Sequence, residues 1–189
     1  MMPDTTTDTL RGTLMAVNRG KQFEDVIRAC FEDVPNTHVK RLYDVQGGYL
    51  GIANECDFYV FRSPNLYLIE CKSVHGNLLS IYGNDPKKKY GNISNTQWEG
   101  MLEATKHSRN VVAGVICWWV DKDVTKFIPI QLLQYLRDVK QMKSIRYDFT
   151  PFDAVIDETF NIIPIDGIKK RVFFDYDLES FLKKFEKST

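Results

Sequence analysis

Asp57, followed downstream by Glu70-Cys71-Lys72, is the pattern in this chain most able to do chemistry. Cys56 to Arg62 and Leu66 to Lys72 are both β-rich, with the turn cluster Ser63-Pro64-Asn65 between them, and the spacing predicts a hairpin. Side chains alternate across a strand, so Leu66, Leu68, Glu70 and Lys72 point one way while Tyr67, Ile69 and Cys71 point the other. Asp57, Tyr59 and Phe61 share a face of the first strand. A four-residue loop sets Asp57 opposite Lys72, a two-residue loop sets it opposite Glu70, and a three-residue loop puts it on the wrong face.

Carboxylates gathered beside one lysine at strand ends are costly unless a cation neutralises them. An all-oxygen ligand set selects a hard ion, Mg2+ or in its place Mn2+. Such an ion activates water and neutralises a phosphate in transfer, while the lysine positions the nucleophile or stabilises developing charge, which together is phosphodiester hydrolysis. The same spacing also suits an Asp-Lys-Glu ion-pair cluster on a solvated sheet face, and alternation leaves both open.

The elements that must position this group follow from periodicity. Asn18 is a good N-cap, after which Phe23, Val26, Ile27, Cys30 and Phe31 recur at helical spacing until Pro35. On a helical wheel Glu24 falls about 20 degrees from Phe31, so it can look at the sheet, whereas Asp25 points away. Val39 to Val45 reads as a strand and Gly47-Gly48 as a turn. Ser73 to Ile93 reads as a long Gly/Asn/Lys loop leading to a second helix, on which Trp98, Met101, Leu102 and Thr105 share a face flanked by Gln97. Val111 to Val120 is a continuously apolar, fully buried strand. Lys126 to Ile128 reads as a strand, Gln131 to Val139 as a helix and Val172 to Phe174 as a strand. Asp177 opens a last helix with Leu178, Phe181, Leu182 and Phe185 inward. Helix, strands, helix, strand is α/β order, a central mixed β-sheet flanked by helices.

With 189 residues, 43% hydrophobic and 26% charged, the chain suits one domain, neither disordered nor a disulfide miniprotein. Residues 1–17 read as a flexible N-terminal arm and 18–189 as the domain proper. No apolar run approaches the ~20 residues of a membrane span and no hydrophobic signal core opens the chain, so a cytoplasmic protein is expected. Cys30, Cys56, Cys71 and Cys117 sit inside apolar patterns without metal-ligand spacing, and the three histidines are scattered, which disfavours zinc. Net charge is zero, yet residues 83 to 146 carry eleven Lys or Arg against six Asp or Glu, and residues 147 to 168 carry five acids and no base. The run Lys87-Lys88-Lys89 is a solvated loop or, beside a metal site, a track for a phosphate backbone. Trp98, Trp118 and Trp119 belong to buried patterns rather than stacking platforms.

At these residues the sequence resembles the PD-(D/E)xK nuclease superfamily and, within it, the RecU-type Holliday junction resolvases. Asn18-Arg19-Gly20 with Phe23-Glu24 is similar to the Asn-Arg-Gly lead-in to that family's first helix, and Cys56-Asp57-Phe58 with Glu70-Cys71-Lys72 to its metal-binding hairpin. Gln97, Met101 and the strand Val112 to Trp118 resemble its glutamine-bearing helix and following strand, and Lys143-Ser144-Ile145-Arg146 a late basic stretch. The resemblance covers roughly residues 18 to 185 and implies a restriction-endonuclease-like fold. It implies that Glu24, Asp57 and Glu70 hold Mg2+, that Lys72 is the catalytic lysine and that Gln97 supports the site. It further implies a homodimer, from a bacterium or a phage, nicking opposed strands of a four-way junction in recombination and repair. Arg19, Lys40, Arg41, Lys87, Lys88, Lys89, Lys143 and Arg146 are the expected DNA contacts. The chain departs from the family in its short Val39 to Glu55 segment, where the family carries a protruding stalk, and in its enlarged, basic Ser73 to Ile93 loop. The alternative is another nuclease of the superfamily acting on linear, nicked or flapped DNA. A non-catalytic DNA-binding protein is disfavoured by the intact Asp57, Glu70 and Lys72.

Overall fold

A computed structural model describes residues 18–43, 54–81, 91–150 and 161–186. The arm expected at 1–17, the Gly47-Gly48 turn and Lys87-Lys88-Lys89 lie outside the described residues.

The N-cap expected at Asn18 is present: its side chain accepts from the Lys21 backbone N–H at 3.2 Å and opens α1 (Arg19–Glu32). The apolar spacing turns Phe23, Ile27 and Phe31 inward, all with no exposed surface. Next come β1 (His38–Arg41), β2 (Phe58–Arg62), β3 (Asn65–Val74) and β4 (Leu78–Ser80). The helix α2 (Asn95–His107) leads to β5 (Val111–Trp119), β6 (Val124–Pro129), α3 (Ile130–Asp138) and β7 (Ser144–Arg146). The chain closes with β8 (Ile163–Pro164), β9 (Gly167–Lys169), β10 (Phe174–Tyr176) and α4 (Leu178–Lys183), the last capped by Asp177.

The central sheet has six strands in the order β1-β2-β3-β5-β6-β8. It is mixed, because β3 and β5 run parallel while the other neighbours are antiparallel. Helices α1 and α4 cover one face, with Phe58, Val60, Tyr67, Ile69, Cys71, Ile116 and Trp118 beneath them. The other face packs Leu68, Val115, Cys117 and Trp119 against Trp98 and Met101 of α2 and Leu132, Leu133 and Leu136 of α3. Val115 to Trp119 alternate between the two cores, which is why the β5 sequence is apolar without a break. The mixed sheet flanked by helices is the class the element order predicted.

Three local expectations are corrected. The stretch expected as a loop from Ser73 holds the end of β3 and all of β4, which pairs with β7, so the basic stretch at 143–146 is partly a strand. Buried Leu79 and Ile145 face each other there, a long-range pairing that local composition does not report. The strand expected at Val172 lies at β10 instead, paired with β9. The ladder of β1 ends at Arg41, with Leu42 and Tyr43 outside it. All three tryptophans are at most 2% exposed, as core residues. No helix of the described residues is long and apolar enough to cross a membrane.

Phe181 lies 5.0 Å from Phe127, 6.2 Å from Tyr67 and 5.5 Å from Phe185, centroid to centroid, with 2% exposure. We expect Phe181→Ala to destabilise the fold by about 3–5 kcal/mol, the cost of a large aromatic cavity. Chemical denaturation with an unchanged m-value checks this, and a loss below about 1 kcal/mol would contradict the packing described.

Candidate active site

The geometric requirement set by the sequence is met. Only Ser63 and Pro64 separate β2 from β3, and the pairing runs from Arg62↔Asn65 to Phe58↔Ile69. Extended by one residue, this register sets Asp57 opposite Glu70. Asp57 stands just before β2, its N–H donating to the Ile69 carbonyl at 3.0 Å while its carbonyl accepts from Leu42 N–H at 2.9 Å. Its Oδ2 accepts the Cys71 N–H at 2.7 Å, so the side chain takes over from the ladder where backbone pairing ends.

Glu70 is 1% exposed on the α2 side of the sheet. Lys72 Nζ donates to its Oε1, and Gln97 Nε2 donates to the same oxygen at 2.7 Å. Gln97 is held in turn by its helix terminus. Ser94 caps α2, the Ser94 N–H donates to Gln97 Oε1 at 3.0 Å and the Gln97 N–H donates to Ser94 Oγ at 3.3 Å. One amide therefore closes the capping box with its oxygen and holds the carboxylate with its nitrogen.

Burial pushes the Glu70 carboxyl up to about 8; Lys72 opposes the rise, and Asp57 reinforces it. Burial lowers the Lys72 ammonium, but the Glu70 and Asp57 carboxylates together outweigh it and hold the group above its ordinary range. Burial likewise pushes the Cys71 and Cys117 thiols well up, so both are neutral apolar filling.

Glu24 is placed differently from the sequence expectation of four groups on one face. Its helix covers the face opposite Glu70. The Glu24 carboxylate is an electrostatic neighbour of Asp57 and Lys72, but its Oε2 is held by Arg41 Nη2 at 2.7 Å. Asp25, which the wheel pointed away, meets the same guanidinium at 2.5 Å. Asp25 is still half-exposed, and the pair forms because Arg41 reaches across from β1. Arg41 is thus a staple between β1 and α1, its guanidinium 5.8 Å from the Phe58 ring centroid. Alternation in β1 and a carboxylate pair on α1 were the available signals, although their partnership depends on a register that only the fold supplies.

Of the other expected DNA contacts, Arg19, Lys40 and Lys143 are exposed. Arg146 is exposed and forked onto Asp148 at 2.6 and 2.5 Å. A residue the motif did not flag is Tyr59, whose hydroxyl donates to Glu55 Oε1 beside Asp57.

Among the described residues no three His, Cys, Asp or Glu side chains form a ready metal cage. The donor chemistry nevertheless fits a hard cation. Glu70 Oε2 is buried with no hydrogen-bond partner among the described residues, next to a second carboxylate, and such an orphaned oxygen suits a cation as neighbour.

No protein-family model matches this sequence, and no curated protein matches it. Among solved structures the chain is similar to the Holliday junction resolvase Hjc of the archaeal hyperthermophile Archaeoglobus fulgidus. The two share 15% identity over 60% of this chain and 75% of that one, with a TM-score of 0.40.

The raised Glu70 carboxyl has a stability consequence. Between its ordinary 4.5 and about 8 the folded state binds more protons here than the unfolded state, so this group's contribution falls as pH climbs through that window. Glu70→Gln removes the slope. The stability of the variant relative to wild type, followed by metal-free denaturation in EDTA, is expected to rise from pH 5 to pH 8. A difference that stays flat across that range would show that Glu70 ionises as an ordinary carboxylate.

Proposed function

We propose that this chain is a Mg2+-dependent DNA endonuclease of the PD-(D/E)xK type that resolves four-way junctions by paired nicks. The observation that carries the catalytic reading is the buried Glu70 carboxylate, opposite Asp57 across a two-residue hairpin and held by Lys72 and Gln97. A solvated ion-pair cluster does not account for a carboxylate that is 1% exposed with one oxygen unpartnered among the described residues. Buried, perturbed carboxylates beside a lysine are what active sites use. The junction as substrate and the homodimer rest on the sequence resemblance, with two-fold symmetry matching opposed strands of a branched DNA.

Asp57 and Glu70 would hold the Mg2+, and Mn2+ in its place. When bound, the ion supplies charge neutralisation and an acidified water for attack on a phosphodiester. The chain's own residues do the rest. Lys72 keeps a positive charge beside the reacting phosphate, Gln97 fixes the rotamer of Glu70, and the Cys71 N–H fixes Asp57. Glu24 acts as a negative neighbour whose charge Arg41 balances. Of the expected DNA contacts, Arg19, Lys40 and Lys143 are exposed and would be open to a phosphate backbone.

A cleavage panel of four-way junction, flap, nicked and linear duplex, each in Mg2+, Mn2+ and Ca2+, tests the reading. Symmetric nicking of the junction in Mg2+ and Mn2+ is expected. Linear duplex cut as fast as junction would replace the resolvase with a general nuclease, and no cleavage of any substrate would remove the catalytic reading. Asp57→Ala and Glu70→Ala are expected to lose about 10³-fold or more in rate, several kcal/mol of transition-state stabilisation. Lys72→Ala should bind metal at least as tightly as wild type, since a like charge is gone, and still lose turnover. Loss of Mn2+ binding in Lys72→Ala would assign the lysine a structural role instead.

A further inference from the structure

Gly100 stands in the interior of α2, where glycine weakens a helix relative to alanine. Its space is taken: a Cβ at position 100 would lie 2.5 Å from the Glu55 Cβ and 2.9 Å from Glu55 Oε2. The helix and the segment carrying Asp57 approach each other through a position that has no side chain. Glu55 is fixed at its far end by the Tyr59 hydroxyl, which donates to Oε1. Asp57 lies two residues beyond. One turn earlier on the same helix face, Gln97 donates to Glu70. A single face of α2 therefore meets the carriers of both candidate metal carboxylates, Glu70 directly and Asp57 through Glu55.

We propose that Gly100 and Glu55 are positioning residues that set Asp57 at its distance from Glu70, with Tyr59 as the anchor of Glu55. This rests on the metal-centre reading above. Alanine at 100 would push Glu55 off α2 and carry Asp57 with it, whereas on a helix with free space beside it the same change stabilises. Residues that orient metal ligands at one remove change metal affinity by about 10- to 100-fold.

The test measures Mn2+ affinity from the free-ion electron paramagnetic resonance signal, which needs no DNA and no turnover. Gly100→Ala is expected to weaken Mn2+ binding about tenfold in the wild-type background. In the Glu55→Gly background, where the clashing Cβ is gone, the same change should have under about a twofold effect, the non-additivity of residues in contact. Tyr59→Phe introduces no bulk, so it folds even if Gly100→Ala does not, and it should weaken binding about threefold or more by releasing Glu55. Wild-type Mn2+ affinity in Tyr59→Phe, or equal effects of Gly100→Ala in both backgrounds, would overturn the positioning role. Asp57→Ala separates the two levels: if it leaves Mn2+ affinity unchanged, the metal-centre reading itself fails.

Discussion

Glu70 carries a carboxylate into the middle of a six-stranded sheet, where an ion without partners costs several kcal/mol. Much of the surrounding architecture answers that one constraint. Lys72 is two residues away on the same strand face, so alternation alone delivers a cation. Gln97 comes from a different element and needs the α2 terminus to be located accurately, which the Ser94 capping box does. With both donors on Oε1, the second oxygen is left without a donor among the described residues, and the carboxyl rises to about 8. A site optimised for stability alone would have satisfied both oxygens or replaced the group by an apolar one. This one stays polarised, one oxygen unsatisfied among the described residues and the group as a whole raised further by Asp57.

The layers explain how such a group can be buried without melting the sheet around it. The α1/α4 face is aromatic, with Phe31, Tyr67, Phe127 and Phe181 in ring contact and Phe23 in the same core. The α2/α3 face carries the polar centre at its margin and an apolar core of Trp98, Met101, Leu132 and Leu133 behind it. Because β3 and β5 are parallel, the chain must cross over between them, and that crossover contains α2. The helix that supports the site is thus a topological consequence of the strand pair that carries it.

What was legible in the sequence was whatever depends on period and local chemistry. The hairpin, the shared face of Glu70 and Lys72, the caps at Asn18 and Asp177 and the doubly buried β5 all follow from alternation, helical spacing or a capping side chain, whereas the two-residue loop that brings Asp57 onto that face is supplied by the register. What was hidden depends on pairing over long separations. The β4 and β7 strands are three residues each and pair only with one another, so neither announces itself. The Arg41 staple joins residues from β1 and α1 whose proximity is set by the whole sheet, so the wheel gave no sign of the guanidinium that Glu24 and Asp25 share. Gly100 left a trace, a glycine inside an otherwise helical run, and its meaning needed Glu55 opposite.

Charge balance ties these pieces together. Around the hairpin end, among the described residues, stand the carboxylates Glu24, Asp25, Glu55, Asp57 and Glu70 and the cations Arg41 and Lys72, with Glu55 tied to the Tyr59 hydroxyl. Arg41 satisfies Glu24 and Asp25 from the α1 side, and Asp25 is half in solvent, where its charge is well screened. Lys72 is spent on Glu70. The uncompensated negative charge accordingly falls on the Asp57–Glu70 side, in the least solvated part of the group, and there it raises the affinity of the pair for positive charge, whether a proton or a divalent ion. Arg41 tempers this imbalance by pairing with Glu24, whose charge nevertheless still raises the Glu70 carboxyl. Glu24 is thus a third carboxylate at the margin of the Asp57–Glu70 pair, its charge shared with a guanidinium that reaches it from β1.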